Sequence, residues 1–362
     1  MIRSAPESQD PRLLAADQVA QTAAAIAALQ LPNGMIPWFP GGHADPWNHV
    51  EAAMALVVSG QRRAAERAYE WLAGIQHPDG GWHTYYLAGD RVEESRRDTN
   101  VIAYVATGTW FHYLATRDRG FLQWAWPMVK GAIEFSLRLQ LPGGELIWAV
   151  DHQANLPRYA LLTGSCSAYL SLRCAIAVAE ELGDDQPEWE LAAARLGHVV
   201  ANCPESFEPK DRWAMDWYYP VLSTAVTGER ALAHLDDRWG EFVMEGIGVR
   251  CVSDQPWVTA AETAECALAY DAAGRPGQAA DILSWLEAMR DEDGLYWTGR
   301  VYPQGVNFPG GERSSYTAAA VILANNALRS CSPTAGLFRS EGLPAAMAVP
   351  LAEPVGEPNQ LP

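Results

Sequence analysis

The chain has 362 residues, 49% of them hydrophobic, which is enough to bury a large core in one or two domains. Its 26 basic and 44 acidic residues give a net charge of −18, a field that repels phosphate backbones and argues against nucleic-acid binding. The six cysteines have no paired spacing, and there is no basic-then-apolar leader and no long apolar run without charge. We therefore expect a soluble cytoplasmic protein without a membrane span.

Helix periodicity and helix stop signals recur through most of the chain. Helices are expected over about 13–30, from Asp45 or Asn48, over 61–76, from Asp98 to about 116, over 119–140, 163–182 and 187–201, from Asp216, over 229–243, from about Thr259, and over 276–290 and 314–330. Strand signal is confined to short pieces inside the loops. Residues 1–12 are expected to be disordered, as is the tail over 332–362, which is rich in Pro, Ala and Glu.

The loops repeat one pattern, which is clearest at Gln76–Trp82. A Pro-Asp-Gly-Gly turn stops a helix there, because Pro lacks the N–H and Gly allows the positive φ that a helix stop needs. An aromatic residue follows, and Asp98 has the chemistry to cap the next helix. Loops of this kind begin near Gln30, Gln76, Gln140, Asn202, Glu245 and Arg290. Spacings of roughly 40 to 65 residues are typical of helical-hairpin repeats.

Six such units predict an all-α fold with short strands in the loops. We expect one domain over 13–331, in which six helical hairpins close into an (α/α)6 toroid. The second helix of each pair is rich in small residues, as in EAAMALVVSG, and would line the middle. All six loops that lead into these helices would then meet at one mouth.

Two resemblances to known families follow from these motifs. Gln76–Trp82 (QHPDGGW) fits the Q-x-x-x-G-x-W repeat of squalene–hopene cyclases and prenyltransferase β subunits, and Gln30–Trp38 and Gln140–Trp148 are looser copies with two extra residues before Trp. This resemblance implies the toroid architecture. The D-x-D-D acid motif of the cyclases and the zinc ligands of the prenyltransferases do not occur in the sequence.

Residues 98–205 resemble six-hairpin glycosidases. A D-T pair at Asp98 opens an inner helix, and the turn ATRDRGFLQWAWP then leads into the outer one. This second resemblance implies a carbohydrate substrate.

Four carboxylates at the predicted mouth are candidate catalytic groups: Asp216, Glu262, Asp98 and Glu51. Glycoside hydrolysis needs two carboxylates that flank one bond. Asp216 is followed by three aromatic residues, where desolvation would raise its pKa as a general acid requires. Glu262 and Glu265 lie three residues apart on an otherwise apolar helix, where a carboxylate is costly unless it is paired or wet, so we expect at least one of them to face the cavity. We select Asp216 and Glu262 as the catalytic pair. Asp98 and Glu51 are the alternates, and a ring of evenly spaced helices would place Asp98 opposite Glu262.

Eleven further residues are candidates for substrate binding because the pattern brings them to the same mouth: Trp38, Asp45, Trp47, His49, Trp82, Trp148, Trp217, Tyr218, Trp257, Trp297 and Tyr316. Their aromatic rings would suit sugar rings or, equally, an isoprenoid chain. Helix caps and core packing are the structural alternatives for these positions. The histidines near His43 and His83 have no recognised zinc spacing, so we expect no metal and no cofactor.

The sequence is compatible with three functions. The first is a carbohydrate-active enzyme that hydrolyses glycosides with paired carboxylates, on a small-molecule or oligosaccharide substrate. The alternatives are a terpene cyclase or prenyltransferase-like enzyme and a non-catalytic binding protein of the same shape. The sequence leaves the oligomeric state open.

Overall fold

The computed structural model describes residues 10–151, 158–345 and 347. The α-helices of this part are α1 Ala16–Leu29, α2 Pro46–Val58, α3 Arg62–Ile75, α4 Thr99–Ala103, α5 Val105–Thr116, α6 Arg119–Leu137, α7 Leu162–Leu182, α8 Pro187–Asn202, α9 Ala214–Leu222, α10 Gly228–Asp237, α11 Trp239–Phe242, α12 Ala260–Ala272, α13 Pro276–Ser284 and α14 Ser315–Arg329. The strands are β1 Tyr85–Leu87, β2 Arg91–Glu94, β3 Arg97–Asp98, β4 Ala149–Val150, β5 Val243–Met244, β6 Gly248–Arg250, β7 Trp257–Thr259, β8 Trp297–Val301 and β9 Val306–Arg313.

The long helices form an inner and an outer layer that alternate along the chain. The inner helices α2, α5, α7, α9, α12 and α14 each pack against the next, and α14 packs against α2. Outer helices α3, α6, α8, α10 and α13 each pack on the inner helix before them in sequence, and α1 packs on α14. The inner layer is apolar all round, as at α7, where every residue from Ser165 to Ala179 is buried. Such a helix is stable only inside a core.

The segments that precede the inner helices are joined to one another by backbone hydrogen bonds, and we call them the rim. The rim comprises 36–45, 83–98, 146–151 with 158–161, 208–213, 248–259 and 297–314. The hydrogen bonds that connect neighbouring segments are made within the rim or by the first residue of the helix that follows. They are Ala44 N to Tyr86 O (2.8 Å), Thr99 N to Trp148 O (2.9 Å), Glu208 N to Ala160 O (2.9 Å), Ala214 N to Cys251 O (3.0 Å), the β7–β8 pairing, and Ser315 N to Trp38 O (2.7 Å). All six inner helices therefore begin on the same face of the molecule.

The repeated glutamines tie each outer helix to the next one. Gln76 Nε2 donates to Gly80 O in its own turn and to Met128 O on α6, both at 2.9 Å. Gln30 and Gln140 make the same pair of bonds, to the residue four positions on and to α3 or α8 respectively. We call these three residues the glutamine clamps. A clamp satisfies a carbonyl that would otherwise lack a partner near a helix end.

The glycine four residues after each clamp is required by close backbone contact. At Gly80, φ is +91° and a Cβ would lie 2.0 Å from the carbonyl oxygen of Gly131 on α6. At Gly34 and Gly144, a Cβ would lie 2.2 Å and 2.7 Å from carbonyl oxygens of α3 and α8. The Gln-to-Gly spacing is therefore a packing device between neighbouring outer helices.

Several local expectations need correction. Strands β5 to β9 form one five-stranded antiparallel sheet over the later rim segments, more strand than the loop pieces indicated. The helix expected from Asp98 to about 116 is divided at Tyr104 into α4 and α5. Asp98 occupies the N-cap position of α4 but makes no capping hydrogen bond with its side chain.

The tail boundary at 332 is wrong for its first part. Ala335, Leu337 and Phe338 are buried against the inner helices, and Ser340 accepts a hydrogen bond from Arg173 of α7 at 2.6 Å. The segment packs because its apolar residues cover the ends of the inner helices opposite the rim. Residues 10–12, also expected to be disordered, are ordered against the domain, since Arg12 Nη1 donates to Asp281 Oδ1 at 2.9 Å. Residues 1–9, 346 and 348–362 lie outside the described residues.

One described helix, α7, is long and apolar enough by composition to cross a membrane, and 78% of its apolar window is buried inside the protein. That burial is what the central position of α7 in the ring requires, since inner helices have no solvent-facing side.

Candidate functional site

Two glutamates lie below the rim in the centre of the ring. Glu51 of α2 and Glu265 of α12 line the same cavity of about 20 Å³, whose wall includes Phe338 of the C-terminal segment. Trp47 Nε1 and the Tyr104 hydroxyl donate to Glu51 Oε1 at 3.0 and 3.3 Å. The cavity is about the size of one water molecule.

Glu265 accepts hydrogen bonds from two adjacent tyrosines of α9. Tyr219 OH donates to one carboxylate oxygen at 2.6 Å, and Tyr218 OH donates to the other. Burial, followed by the charge of Glu265, raises the pKa of Glu51 well above its ordinary value. Burial also raises the pKa of Glu265 to about 7, so the two buried carboxyls favour a shared negative charge over two separate ones.

Glu262 lies one turn nearer the rim than Glu265, in the first turn of α12, and is half-buried. Burial raises its pKa. Burial and then the charge of Glu262 raise the pKa of Tyr316 and the pKa of Cys251, which places this carboxylate beside α14 and the β6–β7 connection.

Asp98 lies at the start of α4, three positions around the ring from α12. Its Oδ1 is buried and has no hydrogen-bond partner. Burial raises the pKa of Asp98 to about 7, against the opposing charge of Arg96. A carboxyl with this pKa keeps its proton below about pH 7, as a general acid must.

Asp45 is the N-cap of α2 and is held by three N–H donors. The Asn48 backbone donates at 3.0 Å, the Asn48 side chain at 2.8 Å, and Trp38 Nε1 at 2.7 Å. The Trp38 ring lies 4.9 Å from that of Tyr316, edge to face. Asp45 therefore fixes an aromatic pair that reaches from α2 to α14, next to Glu262.

Asp216 is not brought together with Glu262. Its Oδ1 accepts from the Thr163 hydroxyl at 2.5 Å and from Thr163 N at 3.3 Å, so the carboxylate points to α7, while Glu262 lies on α12 beyond the other side of α9. Asp216 lines a separate cavity of about 830 Å³ between Leu162 and Arg238. The structure supports a tie between helices α7 and α9 at this position.

Three of the predicted binding residues are core residues. His49 Nδ1 accepts from Ile36 N at 3.1 Å and Nε2 lies 3.0 Å from Ala68 O, which fixes a neutral ring, and burial lowers its pKa to about 4. Trp82 is fully buried and donates to Leu72 O at 2.9 Å. Trp217 is buried with its ring stacked on Phe242, 5.2 Å away. These side chains follow the helix packing and point away from the mouth.

The other predicted aromatic residues stay at the rim or the inner cavity. Trp148 carries the Arg96 guanidinium over its ring at 4.6 Å, and Trp297 carries that of Arg313 at 5.3 Å. Trp47 lies 5.5 Å from Tyr104, and Trp257 is exposed. Tyr218 reaches Glu265, as described above.

Sequence reasoning weighed Glu265 together with Glu262 but selected only Glu262, and it left Tyr104, Tyr219 and Tyr85 outside its candidate set. The signal for Glu265 was present, since it follows Glu262 by three residues on an apolar helix. Tyr85 lies 5.8 Å from Trp38, and its pKa is raised to about 12 by burial and then by the charge of Asp45. Its location depends on the Ala44–Tyr86 pairing, which has no local sequence signature.

The described residues contain no group of three or more His, Cys, Asp or Glu side chains arranged to hold a metal ion. What they do hold in one place is carboxylic acids, tyrosine hydroxyls and indoles around the beginnings of α2, α4, α12 and α14. That chemistry is of the kind that protonates, orients and stacks a neutral polar substrate.

Several solved structures that share this fold are glycosidases. One glycosidase structure matches with a TM-score of 0.68 and 14% identity, over 90% of this chain and all (100%) of the other. A mannosylglycerate hydrolase of glycoside hydrolase family 63 from Thermus thermophilus matches with a TM-score of 0.65 and 15% identity, over 84% of this chain and 99% of the other. The fold is therefore a helix-rich glycosidase fold with some sheet.

The chain belongs to the family of an endo-(1,4)-3-O-methyl-α-D-mannosidase from Mycolicibacterium hassiacum, to which it is 50% identical over 93% of each chain. It is a glycoside hydrolase. An uncharacterised glycosyl hydrolase from Methanocaldococcus jannaschii is 22% identical over 61% of this chain and 34% of its own length. No family profile matches. The terpene cyclase resemblance is not supported, because its repeat is accounted for by the clamp geometry and the relatives are glycosidases.

Proposed function

We propose that this enzyme cleaves internal α-1,4 bonds in an oligosaccharide of 3-O-methylmannose. The observation that carries the proposal is the 50% identity to an endo-(1,4)-3-O-methyl-α-D-mannosidase over nearly the whole length of both chains. A mouth lined by carboxyls and aromatic rings supports it, since methylated sugars present both hydroxyls and apolar surface.

We further propose that the fold is the six-hairpin (α/α)6 toroid and that residues 13–331 form it as one domain. The cyclic packing of the inner helices and the joined rim support this interpretation. In this arrangement, substrate enters from the rim face, because Phe338 and its neighbours cover the opposite end.

For the catalytic pair we propose Asp98 and Glu262. Asp98 is the general acid that protonates the glycosidic oxygen, supported by its unpartnered oxygen and by a pKa of about 7. Glu262 is the base or nucleophile, supported by its partly buried position across the ring. Glu51, with Glu265, lies beneath the pair, and Asp45 orients Trp38 against the sugar. Glycosidases place their two carboxyls on either side of the scissile bond in this way.

The test is the hydrolysis of a methylated α-1,4-mannose oligosaccharide by the wild type and by D98N and E262Q. We expect each variant to lower kcat by a factor of about 1,000 or more, since an acid or base contributes about 10²–10⁴ and a nucleophile more. Circular dichroism checks that each variant is folded. The anomer first released, followed by proton NMR, decides whether Glu262 activates water or attacks the sugar directly.

D216N is the matched control, because it changes a half-buried carboxylate at the same end of a neighbouring inner helix. We expect it to keep most of its activity. If D216N or D45N abolishes turnover while D98N does not, the assignment of the acid is wrong. If the wild type leaves the methylated oligosaccharide intact, the proposed substrate is wrong.

We also propose a cytoplasmic location. All six cysteines are free thiols in the structure, three of them buried inside inner helices, and a reducing compartment keeps them so. Cell fractionation with an antibody to the chain would test this, and recovery in the culture medium would contradict it.

A further inference from the structure

One face of the β7–β8–β9 sheet is apolar, aromatic and open to solvent. Alternate residues of a strand share a face, and the pairing places Trp257 opposite Val301, and Val301 opposite Val306. Trp257 is 38% exposed and Val306 59% exposed, which are large values for such side chains.

Phe308 extends this face toward the catalytic mouth. It pairs with Gly299, and a Cβ at Gly299 would lie 2.4 Å from the far edge of the Phe308 ring, so the ring occupies the space that a side chain would take. The centroids of Trp257 and Phe308 are 5.9 Å apart. We call Trp257, Val301, Val306 and Phe308 the sheet platform.

The platform is continuous with the proposed active site. Thr259, the last residue of β7, shares the face of Trp257 and pairs with Gly299. Its hydroxyl lies beside the Glu262 carboxyl and opposes the rise in the pKa of that group. Helix α12 begins at the next residue, so Glu262 lies one turn further along the same segment. A saccharide bound at Glu262 and running along β7 would pass Thr259 and then lie over Trp257.

We propose that the sheet platform is a remote subsite that binds the oligosaccharide beyond the cleaved bond and selects O-methylated sugars. The inference rests on the proposed function, because an endo-acting enzyme must hold sugars on both sides of the bond that it breaks. An indole and a phenyl ring supply stacking area for sugar rings. The valines supply apolar contact that a methyl ether satisfies and a free hydroxyl does not, since burying an unpaired hydroxyl is unfavourable.

The experiment measures binding, by titration calorimetry, of long and short α-1,4-mannose oligosaccharides, methylated and unmethylated, to the E262Q enzyme. In that background we expect W257A to weaken binding of the long methylated chain about 10-fold, equivalent to about 1.4 kcal/mol, and to affect the short chain less. V306S, which changes a side chain with little packing, should act in the same direction more weakly. W124A is the matched control, because Trp124 is 45% exposed but lies on outer helix α6, and it should leave binding unchanged.

Two results would overturn the subsite. One is equal affinity of the W257A and unsubstituted enzymes for the long methylated chain. The other is a loss for W257A that is the same for methylated and unmethylated chains. Should W257A instead abolish dimers in sedimentation without a change in affinity, the platform is an interface between copies. Because the titration needs no turnover, failure of the proposed hydrolysis would be seen separately, in the wild-type assay.

Discussion

At the scale of single residues, the unusual group is Asp98, an acid that is buried at a helix start without a capping bond. The pKa of its carboxyl is about 7 in the folded protein, against an ordinary value of 3.8. The folded state therefore binds more protons than the unfolded state between about pH 4 and pH 7, and stability falls as pH rises through that window. A general acid in the same state also loses activity as pH rises above about 7.

We therefore expect D98N to be more stable than the wild type at pH 8, and the difference to disappear near pH 4. The gain is at most about 4 kcal/mol, because each tenfold change in a proton-binding constant is worth about 1.4 kcal/mol. Urea unfolding at the two pH values measures it.

D237N is the control for this measurement, since Asp237 is an exposed residue at the end of α10. It should show no such pH-dependent difference. A wild type whose stability relative to D98N is independent of pH would contradict the assignment of a protonated Asp98.

At the scale of elements, the glutamine clamps connect neighbouring outer helices that share few other contacts. We expect Q76A to lower the free energy of unfolding by about 2 kcal/mol, because it leaves the Gly80 and Met128 carbonyls without this donor. Folded Q76A should keep its kcat, because the clamp lies on the outer layer. Chemical denaturation and a standard hydrolysis assay measure the two effects.

Q61A is the matched change, because Gln61 is exposed at the other end of α3 and makes no capping bond with its side chain. It should alter stability by less than about 0.5 kcal/mol. Equal stability of Q76A and Q61A would show that the clamp does not stabilise the fold.

The sequence predicted elements better than it predicted side-chain directions. The helices and their stop signals are local, so Pro142-Gly143-Gly144 and Asp79-Gly80 mark loops wherever the chain runs. Glu262 and Asp98 were selected as candidates because a carboxylate is rare at the start of an apolar helix. His49, Trp82 and Trp217 were misassigned because a mouth-end residue can point inward to the cavity or outward to the next helix. Successive side chains on a helix are rotated by about 100°, so a small rotation of the whole helix decides which of the two directions a side chain takes. That rotation is set by tertiary packing.

The same limit applies to the pair Asp216 and Glu262 that the sequence analysis selected. Asp216 has the composition of a buried acid, but its direction is set by Thr163 of another helix, 53 residues away in sequence. Rim contacts of this kind, including the β7–β8 pairing that joins Trp257 to Val301, depend on residues far apart in sequence and leave little trace in a local pattern.

At the scale of the whole molecule, the segment 332–345 closes the end of the ring opposite the rim. Arg173 of α7 is buried and donates to Thr224, Ser340 and Pro344, so removing the segment leaves this cation with most of its partners lost. We expect a variant that ends at Cys331 to lose about 3 to 5 kcal/mol of stability, because it loses the burial of Leu337 and Phe338, each worth about 1.5–3 kcal/mol. Thermal unfolding followed by circular dichroism measures the loss.

A variant that ends at residue 347 is the control, because it retains all of these contacts. It should unfold at the wild-type temperature. If the variant ending at Cys331 unfolds there too, the segment does not seal the ring.

The first and last helices of the chain are neighbours. Helix α1 packs on α14, and Leu14 N donates to Asn325 Oδ1 at 2.9 Å. The packing between α14 and α1 thus rests on noncovalent contacts alone. At the other inner helices, the outer helix that packs on each one follows it directly in the chain. A circularly permuted chain, joined between α14 and α1 and opened at the exposed left-handed Gly183 between α7 and α8, would build the same ring from a different starting point.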